Sequence, residues 1–168
     1  MKRFPVVALA CVALLLAQPV WTEEKQENPE LAKAVNEAKL SLQQGLSASA
    51  REGKAISGKF EMEDGKLQLS VYTMKAGKFS EVIVDHQTGK IVKVEPITGG
   101  EDLTAAQGQS QAMGNARQTL GAAIARAVRA NQGFRAVSAV PELKDGHAIA
   151  EVTLVKDGEW RRVSEKLD

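Results

Sequence analysis

The sequence predicts an α+β protein, made of two tandem copies of a helix packed on an antiparallel β-meander and preceded by a signal peptide. Three observations support this prediction. A short basic start leads into an uncharged apolar run, the chain resembles itself at an offset of 81 residues, and apolar spacing changes along each copy from three or four residues to two. The predicted parts are a signal peptide at 1–22, a first domain at 28–97, a linker at 98–104 and a second domain at 105–168.

Composition is typical of a globular chain and excludes several classes of function. The 168 residues are 43% hydrophobic and 26% charged, which is unlike a disordered protein. The formal net charge of +1 gives no sign of the basic surface that nucleic-acid binding requires. A single Cys rules out an intrachain disulfide and a cysteine-based zinc site.

The first 22 residues are typical of an export signal. Lys2 and Arg3 precede an uncharged run at 4–17, and charge resumes at Glu23. A basic start followed by roughly 7–15 apolar residues is the secretory pattern. The run is shorter than the roughly 20 residues of a membrane-spanning helix. We therefore expect a cleaved signal, with an uncleaved anchor as the alternative.

Removal of the signal leaves 20 basic and 21 acidic residues and no thiol, because the segment contains the one cysteine, Cys11. A protein without thiols suits an oxidising periplasm. A lipoprotein that begins at Cys11 is disfavoured, since the apolar run continues beyond that residue.

The rest of the chain repeats itself without a gap between 55–85 and 136–166. Nine of the 31 aligned positions are identical, and they include the turn residues. Chance likeness between two amphipathic segments is the alternative, and matched turn positions argue against it. The identical pairs are Ala55/Ala136, Ser57/Ser138, Glu61/Glu142, Asp64/Asp145, Gly65/Gly146, Val71/Val152, Lys75/Lys156, Gly77/Gly158 and Val82/Val163.

The first copy is predicted to begin with one helix. Asn28-Pro29-Glu30 is typical of a helix start, with a capping Asn, Pro at the first helical position and an acid in the first turn. An apolar stripe continues to Leu46, and Gly53 is the predicted stop.

The second copy is predicted to have a helix over about 105–132, capped by Thr104. Gly108 and Gly114 weaken its first half, since each costs about 1 kcal/mol relative to Ala. A start nearer Asn115 is therefore the alternative.

After each helix, alternating apolar residues predict strands, and Asp-Gly or Ala-Gly pairs predict tight turns between them. The helix and the apolar face of the strands are expected to cover each other, and the two copies are expected to meet edge to edge. The predicted strands are 56–62, 67–71, 79–85 and 91–97 in the first copy and 137–143, 148–154 and 160–167 in the second, which lacks the last strand.

The order of helix, hairpin and third strand, followed by Val84-Asp85-x-x-Thr88-Gly89-Lys90-Ile91-Val92, resembles the PepSY domain family. The family's common signature is an apolar-Asp-x-x-Thr-Gly-x-apolar stretch before its last strand. The resemblance covers 28–97, with 105–168 as a degenerate second copy that lacks the Thr-Gly loop. It implies a small α+β unit similar to cystatin-like folds, an exported or membrane-attached location, and a non-catalytic binding role that includes inhibition of peptidases.

The sequence shows no catalytic, cofactor or metal site. The histidines, His86 and His147, are interpreted as solvated turn residues. Asp85 is expected to bond the backbone of its own loop rather than to orient His86, since adjacent strand residues face opposite ways. Glu61 and Glu63 resemble a carboxylate pair, but Lys59 beside them favours a solvated charged face.

The arginines could form at most a small basic patch, made by Arg161-Arg162 with Arg126 and Arg129. Trp160 takes the position of Phe79 in the repeat and is therefore expected to pack in the core.

These observations predict a non-catalytic, exported, monomeric binding module located in the periplasm or secreted. Its partner is expected to be an envelope protein or peptide, with no cofactor, no nucleic acid and no stable membrane insertion after signal removal. One alternative is a structural or sensory envelope protein that stays anchored through 4–21. An enzyme is the third reading, and its only candidate residues are His86 and Asp85.

Overall fold

The structure is a computed structural model that describes residues 28–168. The predicted signal peptide at 1–22 lies outside these residues. Within them, four helices and one seven-stranded antiparallel sheet confirm the α+β class. The strand order is β4-β3-β2-β1-β5-β6-β7. The elements are α1 (Pro29–Glu37), α2 (Leu42–Ala48), β1 (Lys54–Glu63), β2 (Lys66–Lys75), β3 (Lys78–Val84), β4 (Ile91–Ile97), α3 (Gly100–Asn115), α4 (Leu120–Ala130), β5 (Arg135–Lys144), β6 (His147–Lys156) and β7 (Glu159–Lys166).

The hairpin turns lie where the sequence predicts them. Both residues of each turn have a positive φ, which is the backbone geometry of a two-residue hairpin loop. At these turns the strands extend one to four residues beyond the predicted ranges. β3 and β7 each end one residue earlier than predicted, and β4 occupies its predicted range. The four turns are Asp64-Gly65, Ala76-Gly77, Asp145-Gly146 and Asp157-Gly158.

The first strand of each half of the chain contains a β-bulge. The register of β1 shifts between Ala55 and Ser57, and that of β5 shifts between Ala136 and Ser138. The two bulges are 81 residues apart, which is the offset of the sequence similarity. Each bulge adds local twist at the centre of the sheet.

The two halves form a continuous sheet because β1 and β5 pair with each other. Gly58 is opposite Ala139, and Lys59 is opposite Ser138. The halves therefore meet edge to edge, through their first strands. The open edges of the sheet are β4 on one side and β7 on the other.

The prediction of one helix in the first half is wrong, because the chain breaks between α1 and α2. Ala38 adopts an extended backbone, and α2 ends at Ala48, before the predicted stop at Gly53. The Ser41 amide donates to the Gln44 side chain at 2.8 Å, and the Gln44 amide donates to Ser41 Oγ at 3.2 Å. This capping box starts a new helix in the middle of the apolar stripe.

The helix of the second half is also divided, and its predicted cap is wrong. Thr104 lies inside α3, which begins at Gly100, so most of the predicted linker at 98–104 is helical. The side chain that caps a helix here is Thr119, whose Oγ accepts from the Ala122 amide at 3.1 Å at the start of α4.

The helix α2 packs tightly on one face of the sheet. A Cβ atom added to Gly45 in α2 would lie 2.6 Å from Leu69 Cδ2, and one added to Gly58 in β1 would lie 2.8 Å from Leu46. Gly58 pairs with Val71, and Val71 is two residues from Leu69, so Gly58 and Leu69 lie on the same face of the sheet.

The helix α3 lies across the opposite face. Ser57 Oγ donates to Gln109 Oε1 at 2.8 Å, and the Tyr72 hydroxyl donates to Asp102 Oδ1 at 2.8 Å. Ser57 pairs with Tyr72. Ser57 is next to Gly58 and Tyr72 is next to Val71, and Gly58 and Val71 lie on the face that α2 covers. Since strand side chains alternate, the sheet is covered on both faces, whereas the sequence predicts helices on one apolar face only.

The core is mainly aliphatic, since aromatic residues make up only 4% of the chain. Phe79 and Trp160 are partly buried and pack against it, so Trp160 lies at the margin of the core rather than within it. The largest fully buried side chains are Phe60, Leu31, Leu42, Ile56, Leu69, Leu154, Leu167, Val35, Val71, Val82, Val84 and Val137.

We expect Gly45→Ala to lower the free energy of unfolding by about 1–3 kcal/mol, because the added methyl overlaps buried Leu69. The matched control is Gly108→Ala in α3, where nothing lies within 4 Å of the added Cβ. This control should raise the free energy of unfolding by up to about 1 kcal/mol through helix propensity. Urea denaturation measures both, and stabilisation of both variants would contradict the packing described for α2.

Candidate binding site at the Thr-Gly loop

The loop between β3 and β4 folds around the carboxylate of Asp85. Asp85 Oδ1 accepts from the Gln87 amide at 2.8 Å and from the Thr88 amide at 2.9 Å. The Gly89 amide donates to the Asp85 carbonyl at 2.8 Å, and Gly89 has a φ of 74°, which favours glycine. The prediction that Asp85 bonds its own loop is confirmed.

The charge of Asp85 is stabilised by this loop. The Gln87 amide, which has the largest effect, and the Thr88 amide donate hydrogen bonds to the carboxylate. These bonds lower the pKa of the Asp85 carboxyl below its ordinary value. The anion is therefore the form that holds the loop closed.

The same loop anchors the connection between α1 and α2. The His86 carbonyl accepts from the Lys39 amide at 3.1 Å and from the Leu40 amide at 3.0 Å. Gln87 Nε2 also donates to the Glu37 carbonyl at 3.3 Å. These bonds satisfy backbone groups that the break between the helices leaves open.

A corresponding anchor lies in the second half. The Leu167 carbonyl accepts from the Arg117 amide at 2.7 Å and from the Gln118 amide at 2.9 Å, between α3 and α4. Leu167 stands 81 residues after His86. In each half, the carbonyl of one residue after the third strand therefore accepts hydrogen bonds from two amides of the segment between the two helices.

A groove of about 460 Å³ lies beside the Thr-Gly loop. Its walls are the hairpin residues 63–64 and 66–68, the end of β3 with the loop at 83–87, and Val92 of β4. Leu67 and Val92 are apolar, while Glu63, Lys66 and Gln68 are polar. The groove is open at the surface and is lined by both charged and apolar side chains.

The strand beside this groove is an exposed edge of the sheet. Val92 is 63% exposed and Val94 is 43% exposed, although both are aliphatic. Pro96 lies in the same strand and has no amide to donate. The sequence analysis predicts a strand at 91–97 without assigning it to an edge; the proline at position 96 is the signal for an edge strand.

The two histidines are not brought together. His86 belongs to the loop after β3, and His147 begins β6, with β2, β1 and β5 between those strands. His147 Nδ1 lies 2.5 Å from Asp168 Oδ2, and the His147 side chain is exposed. His147 lowers the pKa of Asp168 through this hydrogen bond.

The other polar candidates are engaged in local ion pairs. Lys59 Nζ lies 2.7 Å from Glu61 Oε2, which agrees with a charged face. Arg126 Nε donates to Glu165 at 2.9 Å. The Arg161 guanidinium lies 4.2 Å from the centre of the Phe134 ring and also pairs with Glu159. Arg126 and Arg161 each pair with an acidic side chain, so these two residues do not form a patch of unpaired guanidinium groups.

Within residues 28–168, no three His, Cys, Asp or Glu side chains are grouped so that they could hold a metal ion. Over the same part of the chain, no helix is both long enough and apolar enough to cross a membrane. Comparisons with protein-family models, curated proteins and solved structures give no match to this chain.

We expect Asp85→Asn to change how the stability of the protein depends on pH. A lowered folded-state pKa stabilises the fold above the unfolded-state pKa, and this stabilisation is lost as pH falls through the folded-state pKa. Asn keeps the accepting oxygen but not the charge. The difference in unfolding free energy between the natural protein and Asp85→Asn should therefore be present at about pH 7 and shrink towards about pH 3.

Urea titrations at several pH values measure this difference. Asp85→Ala is the companion variant, because it also removes the accepting oxygen and should be less stable than Asp85→Asn throughout. A difference that stays constant down to about pH 3 would show that the Asp85 charge does not support the loop.

Proposed function

We propose that this protein is a non-catalytic, exported binding module of the PepSY type, built from two copies of one unit. In this proposal the Thr-Gly loop of the first half and the groove beside it receive an extended segment of an envelope protein. The observation that carries it is the open groove formed by residues 63–68, 83–87 and Val92. Inhibition of an envelope peptidase is the narrower form of the same proposal.

The proposal of two copies is supported by features that recur at one offset. The hairpin turns, the bulges in β1 and β5 and the paired anchors at His86 and Leu167 are each separated by 81 residues. A bulge and a two-amide carbonyl anchor are unrelated features, so their common spacing favours duplication of the whole unit.

The PepSY-type assignment is supported by the residues of the loop. Asp85, Thr88 and Gly89 are the residues that match the family signature. In this chain Asp85 organises the loop backbone, Gly89 supplies the left-handed turn, and the Lys90 amide lies 3.4 Å from Thr88 Oγ. Each residue type thus has a physical reason to be there, independent of the resemblance.

A binding role is supported over catalysis by the state of the loop's reactive groups. The Asp85 carboxylate accepts backbone amides, and His86 Nδ1 lies 3.1 Å from Gln87 Nε2 rather than from a nucleophile. General acid or base chemistry needs a group within reach of a reacting proton, usually oriented by a partner. The side chains of His86 and Gln87 are better placed for recognition.

We expect a photoactivated crosslinker at Gln87, an exposed residue of the groove, to join the protein to an envelope polypeptide in intact cells. The matched control carries the crosslinker at Leu143, which is 37% exposed but lies in the second half. Val92→Glu should reduce the yield at Gln87 about tenfold, since a buried valine contact is worth about 1.5 kcal/mol.

Equal yields at Gln87 and Leu143, or a yield unaffected by Val92→Glu, would place recognition elsewhere. For the peptidase form of the proposal, the conjugated polypeptide should be a peptidase, and its activity should fall when the purified protein is added in excess. If the activity of the peptidase did not fall, the proposal of inhibition would be wrong and the proposal of binding would stand.

Export is the second part of the proposal, and it is supported by the basic start and the apolar run at 4–17. We expect the protein recovered from the periplasmic fraction to begin near Glu23, as determined by N-terminal sequencing. A membrane-bound protein that retains residues 4–21 would instead favour the anchored structural or sensory alternative.

A further inference from the structure

The backbone of β4 offers hydrogen-bonding groups away from the sheet. Pro96 has no amide, so its pair with Ser80 cannot be one of the hydrogen-bonded pairs of the β3–β4 ladder. Hydrogen-bonded and open pairs alternate in an antiparallel ladder, so the pair of Glu81 with Glu95 carries the bonds. The amide and carbonyl of Val94 therefore point outward.

No strand within residues 28–168 covers this outer side of β4. Lys93, Glu95 and Pro96 give this strand some of the features that protect sheet edges, but Val94 between them is aliphatic and 43% exposed. The opposite edge differs, because five of the eight residues of β7 are charged. β4 has two charged residues in its middle, and they are of opposite sign: Lys93 precedes Val94 and Glu95 follows it.

The sequence around Val94 is complementary to itself when two copies run antiparallel. With Val94 opposite Val94, Lys93 of one copy stands opposite Glu95 of the other, and Val92 stands opposite Pro96. Lys93 Nζ lies 2.8 Å from Glu95 Oε2 of its own strand, and this register adds an opposite charge from the other copy to each of them. A register centred on Lys93 or on Glu95 would oppose like charges instead.

The outward backbone groups fit the same register. The two Val94 residues can exchange a pair of N–H···O bonds, because both of their backbone groups point outward. The register of β4 shifts at Val92, which has no partner in β3, so the alternation does not extend to its amide. Pro96 donates no bond in this register, and the two bonds between the Val94 residues form without any change in the β3–β4 ladder.

We propose that the protein forms a two-fold symmetric homodimer in which the β4 strands of two copies pair antiparallel, centred on Val94. The occupant of this edge is thus a second copy of the chain, and the interface is isologous. The pairing joins two sheets into one and covers the exposed Val94 side chains. This inference replaces the monomer expected from the sequence, and the proposed dimer edge shares only Val92 with the groove proposed for the partner.

The test is sedimentation equilibrium of the complete exported protein over a range of concentrations. We expect a monomer–dimer equilibrium that Val94→Pro weakens at least about tenfold. Because the Val94 amide points outward, proline there should leave the monomer folded, as checked by circular dichroism and thermal unfolding. The matched control is Ser164→Pro on β7, which should dimerise as the natural protein does.

The charges provide a second test of the register. Lys93→Glu should weaken the dimer, because the introduced carboxylate would then face Glu95 of the other copy. Exchange of both charges, Lys93→Glu with Glu95→Lys, should restore it. A protein that stays monomeric at every concentration, or a dimer that Val94→Pro or the single charge reversal leaves unchanged, would overturn the proposal; so would a different protein held on β4 of a monomer.

Discussion

The pairing of β1 with β5 is the interaction on which the rest of the structure depends. It is a short ladder, centred on Gly58 with Ala139 and Lys59 with Ser138, yet it makes one sheet from two halves that are each near the lower size limit for a stable core. The helix α3 reinforces it from the second half, since buried Gln109 accepts a hydrogen bond from Ser57 of β1. Loss of either contact would expose strand edges that the halves now cover for each other.

The strands were predictable because their signals are local. Alternation of apolar residues and the Asp-Gly pairs fix where a strand runs and where it turns, so β4 was found at 91–97 and the hairpins at their observed turns. The edge-to-edge meeting of the halves followed from a general physical constraint on open strands. The signal peptide, the duplication and the family resemblance rest on the sequence and remain proposals.

The helices were less predictable because their boundaries depend on distant groups. The apolar stripe from Leu31 to Leu46 continues through the break, and what interrupts the helix is the Ser41 capping box together with the His86 carbonyl from another element. The capping box was readable in the sequence; the carbonyl was not. The face of α3 that is buried on the sheet consists of Ala106, Gln109, Ala112 and Met113, and such small and polar residues give little apolar signal in the sequence.

The Thr-Gly loop has a structural role and is also part of the proposed binding site. Its Asp85 carboxylate is held by backbone amides and its His86 carbonyl by the α1–α2 connection, so both groups already have structural partners. The side chains of His86 and Gln87 line the groove next to exposed Val92, and Gln87 Nε2 is itself fixed there by its hydrogen bond to the Glu37 carbonyl. A rigid loop with mixed polar and apolar side chains loses little conformational entropy on binding, and this favours recognition of a partner at the same loop that fixes the helices.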